Sequence, residues 1–502
     1  MKKSLVKIAL TTLFAFVFVV TNLPANSFVL SVSNPSASAS MAEDLKKLCQ
    51  CVKDPLTPLL NPAILPPDVS LKSNKSGDPD ACTGVPGCLN SQNGCCQPCF
   101  DCYGWQLLIA MNWPTQAGSC DSDSGAYFGR PGDYKPVVWE RFKSDYDIFS
   151  GKEPTPWCTD APRELRTISK DRLSATQQAD HNWLTAWDTP NIGRVVRYEI
   201  RVNKLEFDYI VGHNLWNQQG LSEAFNTPRG GGIDLPNASM EVKAAWRVVP
   251  KGQEKDFEGC YKVTKAMIPF DDNHPDGAKE ERTVALVGQH IIIKTPNSPQ
   301  WVWATFEHKN NAPDAPGGPN PTDCTKQWNF NNPAAPRSYT PNYDAPPTRS
   351  TPKNAPVQVV RVDQKMDPGA KPINDAMHEL IRSKYKDSVW LNYNLISVQW
   401  PSDPSKPSPK SASALASGKP RPLVLPNLTM ETYQQTTNSG GGAGLPRFSD
   451  RDIKPEDVGK SSCIGCHRLS AILPNFASLR GKPNNRWWTD YSTIFFKAKP
   501  LP

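Results

Sequence analysis

Between residues 194 and 308, five runs alternate apolar with polar positions or are dominated by β-branched and aromatic side chains. They are RVVRYEIRV (194–202), SMEVKAAWRVV (239–249), CYKVTKAMI (260–268), RTVALVGQHIIIKT (282–295) and QWVWATFEH (300–308). A period of two sends successive side chains to opposite faces of a strand, so the five runs predict one sheet. The last two are joined by Pro296-Asn297-Ser298-Pro299, short enough for a hairpin. A turn centred there sets His290 opposite Thr305, on the face shared by Trp303 and Glu307. A slip of one residue would put Phe306 and His308 there instead.

A helical period marks other stretches. In CYGWQLLIAMNWP (102–114), Trp105, Leu107, Leu108 and Met111 recur at helical spacing before Pro114 ends the run. VVWERFKSDYDIF (137–149) predicts a second helix, and KLEFDYIVGHNLWNQQG (204–220) a third that ends at Gly220 as a cap. Helical pattern returns at INDAMHELIRSKY (373–385), followed by a buried stretch, SVWLNYNLISVQWP (388–401). The proline-rich segment from Asn310 to Pro356 predicts no regular structure and has the length of a functional or wrapping loop. Residues 402–424, rich in Pro and Ser, predict a flexible linker.

Composition agrees with this loop-rich picture: 50 of 502 residues are proline and 31 glycine. The N-terminus carries Lys2, Lys3 and Lys7, an apolar run from Ile8 to about Val20, and Ala37-Ser38-Ala39. That is the pattern of an export signal over residues 1–39, with a retained membrane anchor as the alternative. Removal of the three lysines lowers the formal charge of +7 to about +4. No basic stripe interleaved with aromatics appears, so no nucleic-acid partner is expected. Membrane association is expected only if the leader is retained, and the expected location is periplasmic or secreted.

An exported chain with 14 cysteines predicts disulfides. Twelve of them precede residue 463, an even set concentrated between Cys49 and Cys158. Cys96, Cys99 and Cys102 have the C-x2-C-x2-C spacing of an iron-sulfur protein, but Gln106 stands where a fourth cysteine would fall. Disulfides are therefore the expected role, with pairing undetermined by the sequence.

The remaining two cysteines form a different unit, Cys463-Ile464-Gly465-Cys466-His467. C-x-x-C-H is the attachment signature of a covalent c-type haem: the two thiols add to the vinyl groups, and the adjacent histidine becomes the proximal iron ligand. One haem c is thus expected at Cys463, Cys466 and His467. Only 35 residues follow His467, and all eight methionines precede it. A sixth ligand must come from upstream or be absent. Met430 is nearest in sequence, His378 and His308 would give a bis-histidine site, and a vacant position would admit a small ligand such as peroxide. His290, His308 and His378 also have bland readings, as structural or solvated histidines, and Met430 as a core residue. The apolar run WWTDYSTIFFKA (487–498) predicts a helix or strand that docks this segment on the main domain.

In chain order, AMNWP, VWERFK, EVKAAWRVV, LVGQHIIIKTPNSPQWVWATFEHKNNAP, VQWP, NLTMETYQQ and SSCIGCH with DYSTIFFKA resemble a group of exported bacterial single-haem cytochrome c family proteins of about 500 residues. The resemblance runs from about Trp105 onward. It implies haem attachment at Cys463, Cys466 and His467 and supplies no catalytic residue. The expected fold is α+β and loop-rich, with a mainly antiparallel β-sheet core, several helices and a C-terminal c-type haem segment docked on it. The expected divisions are a leader (1–39), a cysteine-rich region (40–120), a β-rich main domain (121–401), a linker (402–424) and the haem segment (425–502). The favoured function is electron transfer with a redox partner protein. The alternatives are a haem-dependent oxidoreductase acting on a small organic substrate or peroxide, with Glu307 or His308 as acid/base group, and a binding protein with a structural or sensory haem.

Overall fold

All five alternating runs become strands of one antiparallel sheet. The computed structural model describes residues 49, 97–159, 162–165, 196–226, 232–270, 276–315, 317–334, 359–361, 369–401, 420–422, 425, 427–430, 463–467, 470–472 and 487–502. The leader, most of the cysteine-rich region before residue 97 and most of the 402–424 linker lie outside these residues. In chain order the elements are α1 (Gln97–Met111), β1 (Lys143–Ser144), α2 (Asp145–Ile148), β2 (Arg197–Val202), α3 (Lys204–Gly212), α4 (Gln218–Phe225), β3 (Met240–Val248) and α5 (Glu254–Glu258). They continue with β4 (Val263–Pro269), β5 (Lys279–Thr295), β6 (Ser298–His308), α6 (Ala370–Lys384), β7 (Tyr393–Pro401), β8 (Pro420–Arg421), α7 (Cys463–His467), β9 (Ala471–Ile472) and β10 (Trp487–Trp488).

The sheet runs β1-β2-β3-β5-β6-β7-β8, with β4 also paired to β5. The β5–β6 hairpin has the expected register, His290 opposite Thr305 and Ile292 opposite Trp303. One face carries Val242, Ala244, Leu286, Val302, Ala304 and Leu395, and is covered by α1 and α6. Helix α1 can lie close to β7 because Gly104 has no side chain there; a Cβ would stand 2.6 Å from Val398 Cγ2. Pro98 is tolerated in its first turn, where no intrahelical N–H is required.

The opposite face is shared by two clusters. Ala245, Ala285, Val287, Leu428 and Met430 pack with Phe330 of the proline-rich loop; no helix or strand forms among the described residues of 310–334. Val202, Ile292, Trp301 and Trp303 pack with α3, α4 and the C-terminal tail. The tail therefore docks on the sheet through the predicted 487–498 run, as a short β10 and a 3-10 turn, Ile494–Lys497.

Two expected helices are broken. Residues 137–149 form a 3-10 turn, Val138–Arg141, then β1, then the single turn α2. Arg201 on β2 donates from Nη1 to the carbonyls of Glu140 and Phe142, both at 2.9 Å, and so removes acceptors a continuous helix would need. Residues 204–220 divide into α3 and α4, because Asn214 turns into a positive φ of 55° and Asn217 caps α4 by accepting from Gly220 N at 2.9 Å. Gly220 is not a cap. It lies inside α4, where an added Cβ would fall 1.7 Å from the Asn214 carbonyl oxygen.

Disulfides join Cys49 to Cys102, Cys120 to Cys158 and Cys260 to Cys324, and Cys99 is disulfide-bonded too. Cys102 and Cys99 are thus committed to disulfides rather than to a cluster. Disulfides fit an oxidising, extracytoplasmic setting. Among the described residues, no helix is long and apolar enough to cross a membrane.

Candidate functional site

Helix α7 is one turn long, and its length sets what it can present. Cys463 and His467 stand four residues apart, on the same side of that turn. Cys463 is not disulfide-bonded and is partly exposed, while Ile464 between them is fully buried. Gln399 of β7 holds the turn on the sheet: its Oε1 accepts from Ile464 N at 2.9 Å, and its Nε2 donates to the Pro422 carbonyl at 2.7 Å. The side chain of Cys466 lies outside the described residues.

His467 packs its ring 4.5 Å from that of Trp303, tilted 56°. Its Nδ1 lies 2.8 Å from the Tyr491 carbonyl. A carbonyl can only accept, so Nδ1 carries a proton. The Tyr491 carbonyl also accepts from Ser470 Oγ at 3.2 Å, and Ser470 N donates to the His467 carbonyl at 2.8 Å. A backbone oxygen on one ring nitrogen is the contact that orients an imidazole metal ligand.

The segment bearing Tyr491 is fixed from several directions. Strands β9 and β10 pair Ala471 with Trp488 and Ile472 with Trp487. Trp487 stacks on Phe225 of α4 at 4.7 Å, and Ile233 N donates to the Trp488 carbonyl at 2.8 Å. Gly232 permits that approach, since a Cβ there would meet the Trp488 carbonyl oxygen at 2.4 Å. Asp490 and Tyr491 both take positive φ, 52° and 68°.

Beneath this turn lies a group of buried charges. Lys294 of β5 donates to Asp490 Oδ2, Asp234 Oδ1 and the Leu235 carbonyl, each at 2.7 Å. Burial opposes the lysine charge, yet Asp490 and Asp234 raise its pKa above the ordinary value. Burial pushes Asp490 up to about 6, against the pull of Lys294. Glu241 of β3 is pushed up to about 7, by burial first and by the charges of Asp145 and Asp490, while a Ser492 hydrogen bond works the other way. Glu206 of α3 rises well above the carboxylate range through burial and the adjacent Glu241. Lys497 binds Asp145 at the edge of the group.

The other sequence-level candidates lie elsewhere. Met430 is buried in the cluster of Tyr198, Val287 and Leu428, a different cluster from that of Trp303. His378 is on α6, across the sheet, with Nε2 2.8 Å from the Tyr393 carbonyl and its ring edge-on to Trp105; it is a packed residue, not a solvated one. His308 stacks on Tyr261 at 3.7 Å. Its Nδ1 accepts from Asn310 N at 3.1 Å, so Nε2, 3.3 Å from the Cys260 carbonyl, is the donor. Both ring nitrogens are occupied, and burial holds its pKa down at about 3. Glu307 accepts from Arg361 Nη2 at 2.5 Å and from Leu428 N at 2.7 Å. His290 is buried on the Trp303 face, one step along the strand from Ile292. Sequence reasoning missed Gln399, Asp490, Lys294 and the Tyr491 carbonyl. A backbone oxygen has no sequence signature, and the other three are remote in sequence from His467 or belong to ordinary polar positions.

Among the described residues, no group of three His, Cys, Asp or Glu side chains is arranged to hold a metal ion by itself. No family model matches the chain, and no solved structure matches it. The chain is similar to a peptide deformylase of Acidothermus cellulolyticus, with 28% identity over 168 residues, 30% of this chain and 89% of that protein.

Proposed function

We propose that this chain is an exported protein that takes part in electron transfer through one haem c, attached at Cys463 and Cys466 with His467 as proximal iron ligand. The carrying observation is the Tyr491 carbonyl 2.8 Å from His467 Nδ1, the backbone contact that orients an imidazole metal ligand. The surroundings fit the group: Ile464, Trp303, Ile472 and Tyr491 supply an apolar bed beside Cys463 and His467. When bound, the haem supplies a one-electron iron couple whose potential depends on axial ligand, hydrogen bonding and burial. Cys463 and Cys466 tether, His467 ligates, Trp303 supports the imidazole, and Gln399 fixes the turn that bears them.

The leader pattern and the disulfides support a periplasmic or secreted location, with a redox protein as partner. Glu307 and His308, the acid/base groups of the oxidoreductase alternative, are both committed to fixed partners. The similarity to a peptide deformylase is 28% over a part of the chain.

Expression of the full chain in a host with c-type maturation machinery tests the proposal. The protein is expected to carry one covalent haem by mass, lost in Cys463→Ala and Cys466→Ala, and its spectrum is expected to be unchanged by carbon monoxide or peroxide. A mass equal to the bare polypeptide overturns haem attachment, and a spectrum that responds to either ligand overturns the carrier role in favour of an enzyme.

A further inference from the structure

The geometry points to Asp490 as a positioning residue that holds the Tyr491 carbonyl on His467 Nδ1 and so fixes the orientation of the imidazole, an inference that rests on the haem reading above. Among the described residues, Asp490 makes no hydrogen bond to the imidazole or to Cys463; it acts through the backbone. Two successive residues without glycine's freedom, Asp490 and Tyr491, hold φ of 52° and 68°. Such a conformation persists only where its surroundings over-determine it. A short polar side chain tolerates it best, which accounts for aspartate at the first position.

What over-determines the turn is the Asp490 carboxylate. Its Oδ2 accepts from Lys294 Nζ at 2.7 Å and from Leu235 N at 2.9 Å, and the side chain has no solvent exposure. Lys294 is in turn held by Asp234 and the Leu235 carbonyl, and it belongs to β5, a central strand of the sheet. A continuous path thus runs from the sheet through Lys294 and Asp490 to the turn. The turn aims the Tyr491 carbonyl at His467 Nδ1 (2.8 Å) and Ser470 Oγ (3.2 Å).

A carbonyl that accepts from Nδ1 raises the basicity of the imidazole and favours the more oxidised metal, so this contact lowers the reduction potential. Asp490 fixes that contact. A generic structural anchor would change stability alone; a positioning residue also changes the location of the His467 proton and the potential.

The test uses full-chain protein labelled with 15N-histidine, prepared with and without c-type maturation. In the unsubstituted protein the His467 proton is expected on Nδ1. In Asp490→Ala, exchange of that proton is expected to accelerate by roughly tenfold, the factor set by the net contribution of one hydrogen bond, and the midpoint potential to rise. Asp490→Asn, which keeps an acceptor for Leu235 N and tolerates the positive φ, is expected to restore most of the exchange protection. Should Asp490→Ala fail to fold, Lys294→Met cuts the same path from the sheet side and carries the same expectation. A His467 proton on Nε2 in the unsubstituted protein overturns the assignment. So does unchanged exchange and potential in the folded variants. Absence of covalent haem would overturn the proposed function instead, and the location of the His467 proton still decides the role of Asp490.

Discussion

His308 and His467 are the same side chain in different settings, and hydrogen bonding distinguishes them. His308 spends Nδ1 on Asn310 N and Nε2 on the Cys260 carbonyl, so nothing remains for a ligand or a proton transfer. His467 donates from Nδ1 to the Tyr491 carbonyl and stands on the turn that carries Cys463. Glycines divide in the same way: Gly220 reads in sequence as a helix end, but its role is to let the Asn214 carbonyl pass where a Cβ would sit at 1.7 Å. Gly220→Ala is expected to destabilise the protein by about 1–3 kcal/mol through overpacking, measured by urea unfolding. An unchanged midpoint would show that α4 can shift away from residue 214 at no cost.

Among the elements, α7 is too short to stand alone, since a single helical turn is far below the length at which helices persist in water. It is held by docking, and Gln399 is its clamp. Gln399→Leu removes the acceptor for Ile464 N in a buried position, at a cost of about 1–3 kcal/mol for the unsatisfied N–H. Faster amide exchange at Ile464, with the β5–β6 amides unaffected, is the expected result; equal protection in both proteins would refute the clamp. The broken 137–149 helix makes the same point in reverse. Its sequence has helical period, but Arg201, from a strand some sixty residues later, captures two of its carbonyls.

For the whole molecule, the buried acids under the tail govern pH dependence. Glu241 rises from 4.5 to about 7 on folding, so its contribution is full below about pH 4.5 and is lost as pH rises through 7; Asp490 and Glu206 shift in the same direction. His308 falls from 6.5 to about 3, so its contribution is full above pH 6.5 and is lost as pH falls toward 3; Glu140, lowered by Lys262 and Arg163 against the burial that opposes it, adds to that acid-side loss. Stability is therefore expected to peak in mildly acidic solution and to decline from pH 6 to 8. Thermal unfolding across pH tests this, with Glu241→Gln expected to flatten the alkaline decline. A stability that rises from pH 6 to 8 would contradict the shared burial of these carboxyls.

The sequence by itself determined the sheet, the β5–β6 register, the α1 and α6 helices, the use of cysteines in disulfides and the Cys463-Ile464-Gly465-Cys466-His467 motif. Each of these is carried by local period, turn chemistry or residue type. Only the tertiary structure decided where helices break, that both ring nitrogens of His308 are occupied, and that Lys294, Asp490, Gln399 and the Tyr491 carbonyl converge on one short turn. Those outcomes depend on contacts between residues up to two hundred positions apart and on backbone oxygens, for which the identity of a residue carries no signal.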